Sequence, residues 1–124
     1  MSIFTSDECP TSLQDLRDVL RRFASDRDWD QFHSPKNLAI ALSVEAAELL
    51  EHFQWTLEAD SAVLAPGQHA KVQEEIADVL VYLIRLADKL NIDLVAAASE
   101  KIRLNAEKYP VEKARGSSKK YTEL

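Results

Sequence analysis

The sequence predicts an all-α domain, a four-helix bundle that assembles with further copies of itself. Only 2 glycines and 4 prolines occur in 124 residues, too few to punctuate many short strands. Apolar residues recur at spacings of three and four along four stretches, the period of an amphipathic helix. Capping or breaking residues bound these stretches.

The first helix starts at Thr11 or Ser12, with Asp15 three residues beyond Ser12, a pairing suited to a helix N-terminus. Its apolar stripe is Leu13, Leu16, Val19, Leu20, Phe23 and Ala24. An aromatic and charged connection follows, Asp28-Trp29-Asp30-Gln31-Phe32-His33, and Ser34-Pro35 supplies an N-cap and a first-turn proline. The second helix is expected from about Pro35 to Gln54. Leu38, Ala41, Leu42, Ala46, Leu49 and Phe53 form one stripe of it, with Ile40, Val44 and Ala47 opposite. A helix apolar nearly all round is buried on two faces. So short a chain has too few helices to cover both, which points to a homo-oligomer. Trp55 to Pro66 reads as a connection closed by Pro66-Gly67, and the third helix as about Gln68 to Leu90. Asn91 and Asp93 break and re-cap the chain. The fourth helix reaches about Lys108 and ends at Tyr109-Pro110, because a residue before proline avoids the helical region. The expected organisation is thus a flexible N-terminus over 1–10, one helical domain over 11–110 and an extended tail over 111–124 that packs only where a neighbour receives it.

Fifteen basic and 21 acidic side chains leave a net charge of −6. That argues against nucleic-acid and anionic-membrane partners, both of which need a basic surface. The longest apolar-rich stretch, Ile76 to Leu90, is interrupted by Asp78, Arg85, Asp88 and Lys89, so no membrane span is expected. One cysteine, Cys9, excludes an intrachain disulfide and suits a reducing compartment. With no signal-like pattern at the N-terminus, the expected location is cytoplasmic.

Two carboxylate pairs carry the chemistry. Glu45 and Glu48 are three apart on the second helix, and Glu75 and Asp78 three apart on the third, so each pair shares a helix face. Both flank an apolar stripe. If the helices pack antiparallel, all four carboxylates meet across one groove. Like charges that close repel, and partial burial adds to the cost. A hard divalent cation with oxygen ligands, Mg²⁺ or Mn²⁺, offsets both, and the lack of a Cys/His cluster counts against zinc. Against this stands a plain alternative, since Glu-x-x-Glu is common on solvated helix faces. Glu51 is a weaker candidate for a further ligand, and Glu74 points away from Glu75.

On the fourth helix Leu94, Ala98, Ile102 and Tyr109 mark an expected inward face shared by Lys101 and Asn105. An inward lysine or asparagine needs a partner. A phosphate suits Lys101, and a sugar or base edge suits the Asn105 amide; a snorkelling lysine and a backbone-bonded asparagine are the alternatives. Tyr82, one turn beyond Asp78, is a candidate lid over the acidic groove. Trp29, Phe32, His33 and Trp55 sit at or just beyond the ends of the second helix, where aromatics either stack on a planar base or close a core.

Taken together, these residues resemble a known family. Glu45-x-x-Glu48, a spacer, then Glu75-x-x-Asp78 is similar to the MazG-like all-α nucleoside triphosphate pyrophosphohydrolases. Arg27 to Leu38, Phe53-Gln54-Trp55, Glu74 to Leu83, Lys101-x-x-x-Asn105-x-x-x-Tyr109-Pro110 and Arg115 to Thr122 resemble the dCTP pyrophosphatase branch. The likeness spans nearly everything from Leu13 onward. It implies a four-helix protomer, usually tetrameric, with Mg²⁺ held by Glu45, Glu48, Glu75 and Asp78. The implied substrates are dCTP and modified cytosine deoxynucleotides, with Trp29, His33, Trp55, Tyr82, Lys101, Asn105 and Tyr109 as substrate contacts. Val44 stands where many members carry a glutamate before the first helix-two acid. Leu20 and the Trp55–Gly67 connection also depart from the branch. The expected reaction is attack of water on the α-phosphorus, releasing dCMP and pyrophosphate. Glu48 is the expected base and Glu45 its rival. Three competing readings are a broader house-cleaning enzyme for dNTPs or dUTP, a non-catalytic nucleotide-binding module, and a purely structural helical dimer.

Overall fold

The computed structural model describes residues 9–124. Residues 1–8, most of the segment expected to be flexible, lie outside that range. The described residues are helical, without strands. They divide into two compact units, the first ending at Asn91 and the second being Ile92–Leu124; each is described by itself.

In the first unit, α1 (Leu13–Asp26) is capped by Ser12, whose hydroxyl accepts from the Asp15 amide. The Asp15 carboxylate in turn accepts from the Thr11 amide and hydroxyl, so both proposed cap residues take part. At the other end Asp28 adopts a left-handed φ of 54°. Its amide donates to the Ser25 carbonyl and that of Trp29 to the Ala24 carbonyl, a pair of hydrogen bonds that ends a helix and usually employs glycine. Aspartate tolerates this region better than most residues, and Gln31 secures its carboxylate at 2.8 Å. The reversal brings Trp29 back against Phe23 of α1 and leads into a 3₁₀ turn at Asp30–Phe32.

Ser34 then caps α2 (Pro35–Glu51), accepting from the Asn37 amide with Pro35 in the first turn. The Asn37 side chain reaches back to the Phe32 carbonyl at 3.0 Å. The helix ends three residues before the expected Gln54, in a run of turns. A 3₁₀ turn at Glu58–Asp60 interrupts the connection. Next comes α3 (Pro66–Lys89), two residues earlier than expected because Pro66 itself occupies the first turn.

Helix α3 is the spine of this unit, with α2 and α1 both packed along it. Ala24, Leu38, Val72, Ile84 and Ala87 form the buried core. The inward line of α2 runs through Leu38, Ala41, Leu42, Glu45, Glu48 and Leu49. Ala46, expected on this stripe, is exposed, because the two glutamates lean into the α3 interface in its place. On the outer side of α2, Ile40, Val44 and Leu50 are exposed, as are Ile76, Leu80 and Leu83 of α3.

The second unit consists of α4 (Leu94–Lys108), a helical turn α5 (Val111–Ala114) and a 3₁₀ turn at Tyr121–Glu123. Asp93 caps α4 through the Ala96 amide. The tail is not extended, contrary to expectation. It returns onto its own helix, with the Tyr121 ring edge-on to Tyr109 at 6.0 Å and Lys108 5.0 Å from the Tyr121 ring. Aromatic and cation–π contact supplies a local partner. The expected inward face of α4 is likewise corrected: Ile102 is 69% exposed, and Lys101, Asn105 and Ala98 are exposed too.

Leu38 is 1% exposed at the α2–α3 seam. Leu38→Ala should destabilise the protein by about 2–5 kcal/mol, since a cavity adds to the lost transfer energy. Urea denaturation monitored by circular dichroism measures this, with a lower midpoint as the expected result.

Candidate functional site

Glu45, Glu48 and Glu75 meet at the α2–α3 seam, each offering a carboxylate oxygen within 4.8 Å of the others. One helical turn separates the two acids of α2, and the long packed interface brings α3 up beside them. All three are half-buried. Glu45 Oε2 and Glu75 Oε2 are fully enclosed and receive no hydrogen bond. A buried acceptor left without a donor is costly. Two of them side by side, each on an acid, fit a cation as the missing partner. The all-oxygen donor set suits a hard divalent ion.

Electrostatics follow from the same geometry. Burial pushes the Glu45 carboxyl up to about 7, helped by Glu48 and Glu75, which accept from its protonated form, and by the charges of Glu48 and Asp78. Asp78 is the fourth expected member. It is exposed and is not one of the three acids whose oxygens converge. It acts on Glu45 through charge and lines the wall of an adjoining cavity.

That cavity, of about 320 Å³, is lined by Leu20, Phe23 and Ala24 of α1, Trp29 and His33 of the connection, and Asp78, Val81, Tyr82 and Arg85 of α3. Of the expected substrate contacts it gathers Trp29, His33 and Tyr82. Phe23 meets Trp29 edge-on at 5.8 Å, and Trp29 meets His33 at 6.4 Å. Trp55 does not join them; it stands 89% exposed beyond α2. Lys101, Asn105 and Tyr109 belong to the second unit, where Lys101 and Asn105 are exposed and Tyr109 packs on Tyr121.

Two groups were not anticipated. His52 follows Glu48 by one turn, and its Nε2 lies 3.9 Å from Glu75 Oε1. Its carbonyl accepts from Gln68 Nε2 at 3.0 Å. The i, i+4 spacing from Glu48 was a usable signal. Arg85 is 4% exposed and donates to Asp30 Oδ1 at 2.9 Å and to His33 Nδ1. Val81 and Tyr82, four and three residues before it, share its helix face, but its partners come from a connection that periodicity does not describe.

The raised pKa of Glu45 has a definite thermodynamic sign. Its protonated form is favoured in the folded state, so this contribution to stability is present in acid and is lost as pH rises through about 7. Metal-free protein should therefore melt lower at pH 8 than at pH 5, with saturating Mg²⁺ removing the deficit. Binding at pH 7 should release protons, detectable by calorimetry in two buffers of different ionisation enthalpy. Identical heats in both buffers would count against the coupling.

Comparison with known proteins gives this arrangement a lineage. The model of the MazG-like family matches residues 40–124. The dCTP pyrophosphatase 1 of Rattus norvegicus is 45% identical over 115 residues, covering 91% of this chain and 68% of that protein. The dCTP pyrophosphatase 1 of Bos taurus is 43% identical over 123 residues, covering 98% and 72%. A solved structure described as a pyrophosphatase from Archaeoglobus fulgidus superposes with a TM-score of 0.75 at 41% identity, covering 88% of this chain and 99% of that one. With an acid cluster on paired helices and matches of this extent, the chain belongs to the MazG-like family.

Proposed function

We propose that the protein is a Mg²⁺-dependent nucleoside triphosphate pyrophosphohydrolase that converts dCTP, and modified cytosine deoxynucleotides, to the monophosphate and pyrophosphate. The observation that carries this reading is the pair of enclosed, unpartnered oxygens on Glu45 and Glu75 beside Glu48. The names of the mammalian relatives supply the substrate.

In this reading Glu45, Glu48, Glu75 and Asp78 hold the ion, and Mn²⁺ is an acceptable substitute. Bound there, it would neutralise triphosphate charge and acidify water. Glu48 takes the proton of the water that attacks the α-phosphorus; the α–β bridging P–O bond breaks, and pyrophosphate leaves with the bond's electrons. Glu45, whose proton is retained to about pH 7 without metal, is the rival base. The cavity beside Asp78 receives the base, with Trp29 and Phe23 as apolar walls and His33 and Tyr82 as polar contacts. Trp55, Lys101, Asn105 and Tyr109 are further proposed substrate contacts on the family resemblance alone; none of them lines this cavity.

The proposed assembly is a homo-tetramer in the cytoplasm. Exposed apolar side chains on α2 (Ile40, Val44) and α3 (Ile76, Leu80) support self-association, because a monomer gains from removing them from water. A broader dNTP or dUTP specificity is the second reading, favoured by Leu20, an apolar side chain on the cavity wall with no hydrogen bond to offer a base.

Glu48→Gln and Asp78→Asn should each fold and keep their oligomeric state in light scattering, yet lose roughly 10²–10⁴ in rate, as expected for lost charge stabilisation in a catalytic site. Chromatographic product analysis with dCTP, dTTP, dUTP and dATP, with and without Mg²⁺, tests both readings. Equal turnover of all four supports the broad enzyme. Binding without any product would leave only a nucleotide-binding module.

A further inference from the structure

Arg85 is a charge placed in a core without being needed there for the proposed chemistry. It is 4% exposed, and desolvating a guanidinium is costly unless it is well paired. Its partners come from three directions. Nη2 donates to Asp30 Oδ1 at 2.9 Å, Nη1 lies 3.8 Å from Asp88 Oδ2, and Nε and Nη2 approach His33 Nδ1 at 3.3 and 3.2 Å. The two acids are themselves tied down. Arg21 grips Asp88 through two donors at 2.5 and 2.7 Å, and Lys89 meets Asp30 at 2.5 Å. The guanidinium is thereby held at one place and angle by α1, α3 and the connection.

We propose that Arg85 is a positioning residue for base recognition: it occupies the Nδ1 lone pair of His33, keeps the imidazole proton on Nε2, and so presents a fixed hydrogen-bond donor to an acceptor on a pyrimidine edge. This rests on the reading that the cavity lined by His33, Trp29 and Phe23 receives the base. The chemistry allows one arrangement. Arg85 has only donors, so a proton on Nδ1 would face it N–H against N–H. A neutral imidazole with Nδ1 accepting must carry its proton on Nε2. Among the described residues no hydrogen bond to that Nε2 is formed, and the ring lines the cavity. Independently, burial and then the Arg85 charge hold the His33 pKa below its ordinary value, so the ring remains neutral.

The decisive measurement is long-range ¹H–¹⁵N NMR of imidazole-labelled wild-type protein, with His33 assigned by loss of its signals in His33→Asn. The Nε2–H tautomer is expected, and an Nδ1–H or doubly protonated ring at pH 7.5 overturns the proposal. Function is read in a double-mutant cycle. Arg85→Met should raise KM for dCTP about tenfold, the usual scale for leaving one polar partner unmade, with kcat nearly unchanged. In a His33→Ala background Arg85→Met should add no further KM effect. Additive losses, or a fall in kcat alone, would show that Arg85 acts only through the fold. Should Arg85→Met not fold, the wild-type tautomer still decides. If wild-type protein cleaves no deoxynucleotide while His33 has the expected tautomer, the functional reading fails and the Arg85–His33 geometry stands.

Discussion

The structure depends on one electrostatic constraint, three half-buried carboxylates held together along the seam of two helices. Glu45 and Glu48 face α3 from positions where a helix of this length would ordinarily place leucine or alanine, and Glu75 faces them from α3. Leu38 and Val72, also at the seam, keep the helices close. The hydrophobic contact therefore holds together groups that repel, and the repulsion is the reservoir a cation draws on when it binds. Without it, one of the three acids relieves the strain by keeping a proton, and burial selects Glu45.

A second buried charge is handled in the opposite way. Arg85 is more deeply enclosed than any of the three glutamates, yet it has Asp30, His33 and Asp88 around it. Each of those acids has a further cation, Lys89 or Arg21, whose donation holds the Asp30 and Asp88 carboxyls below the usual range. One site is internally satisfied and rigid; the other is left short of positive charge. Arg85 and Glu75 stand about three turns apart on α3; the first lines the cavity, and the second belongs to a concentration of negative charge that suits a cation. Asp78 links them, acting on Glu45 while lining the cavity.

The short connection between α1 and α2 has more influence than its length suggests. Asp28 reverses the chain in a left-handed conformation, Ser34 restarts it, and between them lie Trp29, Asp30 and His33. These three supply a wall, a counter-ion and a polar contact. Because their positions follow from two helix caps, the indole and the imidazole are placed on the cavity wall by the ends of α1 and α2.

The sequence alone determined the helical class, the order and approximate limits of the four main helices, and the family, because period, caps and acid spacing are local properties. Ser12, Ser34 and Asp93 cap where the pattern placed them. Spacing also singled out Glu45, Glu48, Glu75 and Asp78 as candidates, but Glu-x-x-Glu is common on solvated faces, and only the packed helices bring the oxygens of the first three together. What it did not determine is which non-local groups meet. Ala46 moved outward because two neighbouring glutamates took the interface, the tail folded back because Tyr121 found Tyr109, and Asp78 lines the cavity while its charge still acts on Glu45. His52 beside Glu75 and Arg85 against His33 depend on chain segments 23 and 52 residues apart. Helical periodicity has no memory over such distances; only the packing of α1, α2 and the connection onto α3 assigned those partners.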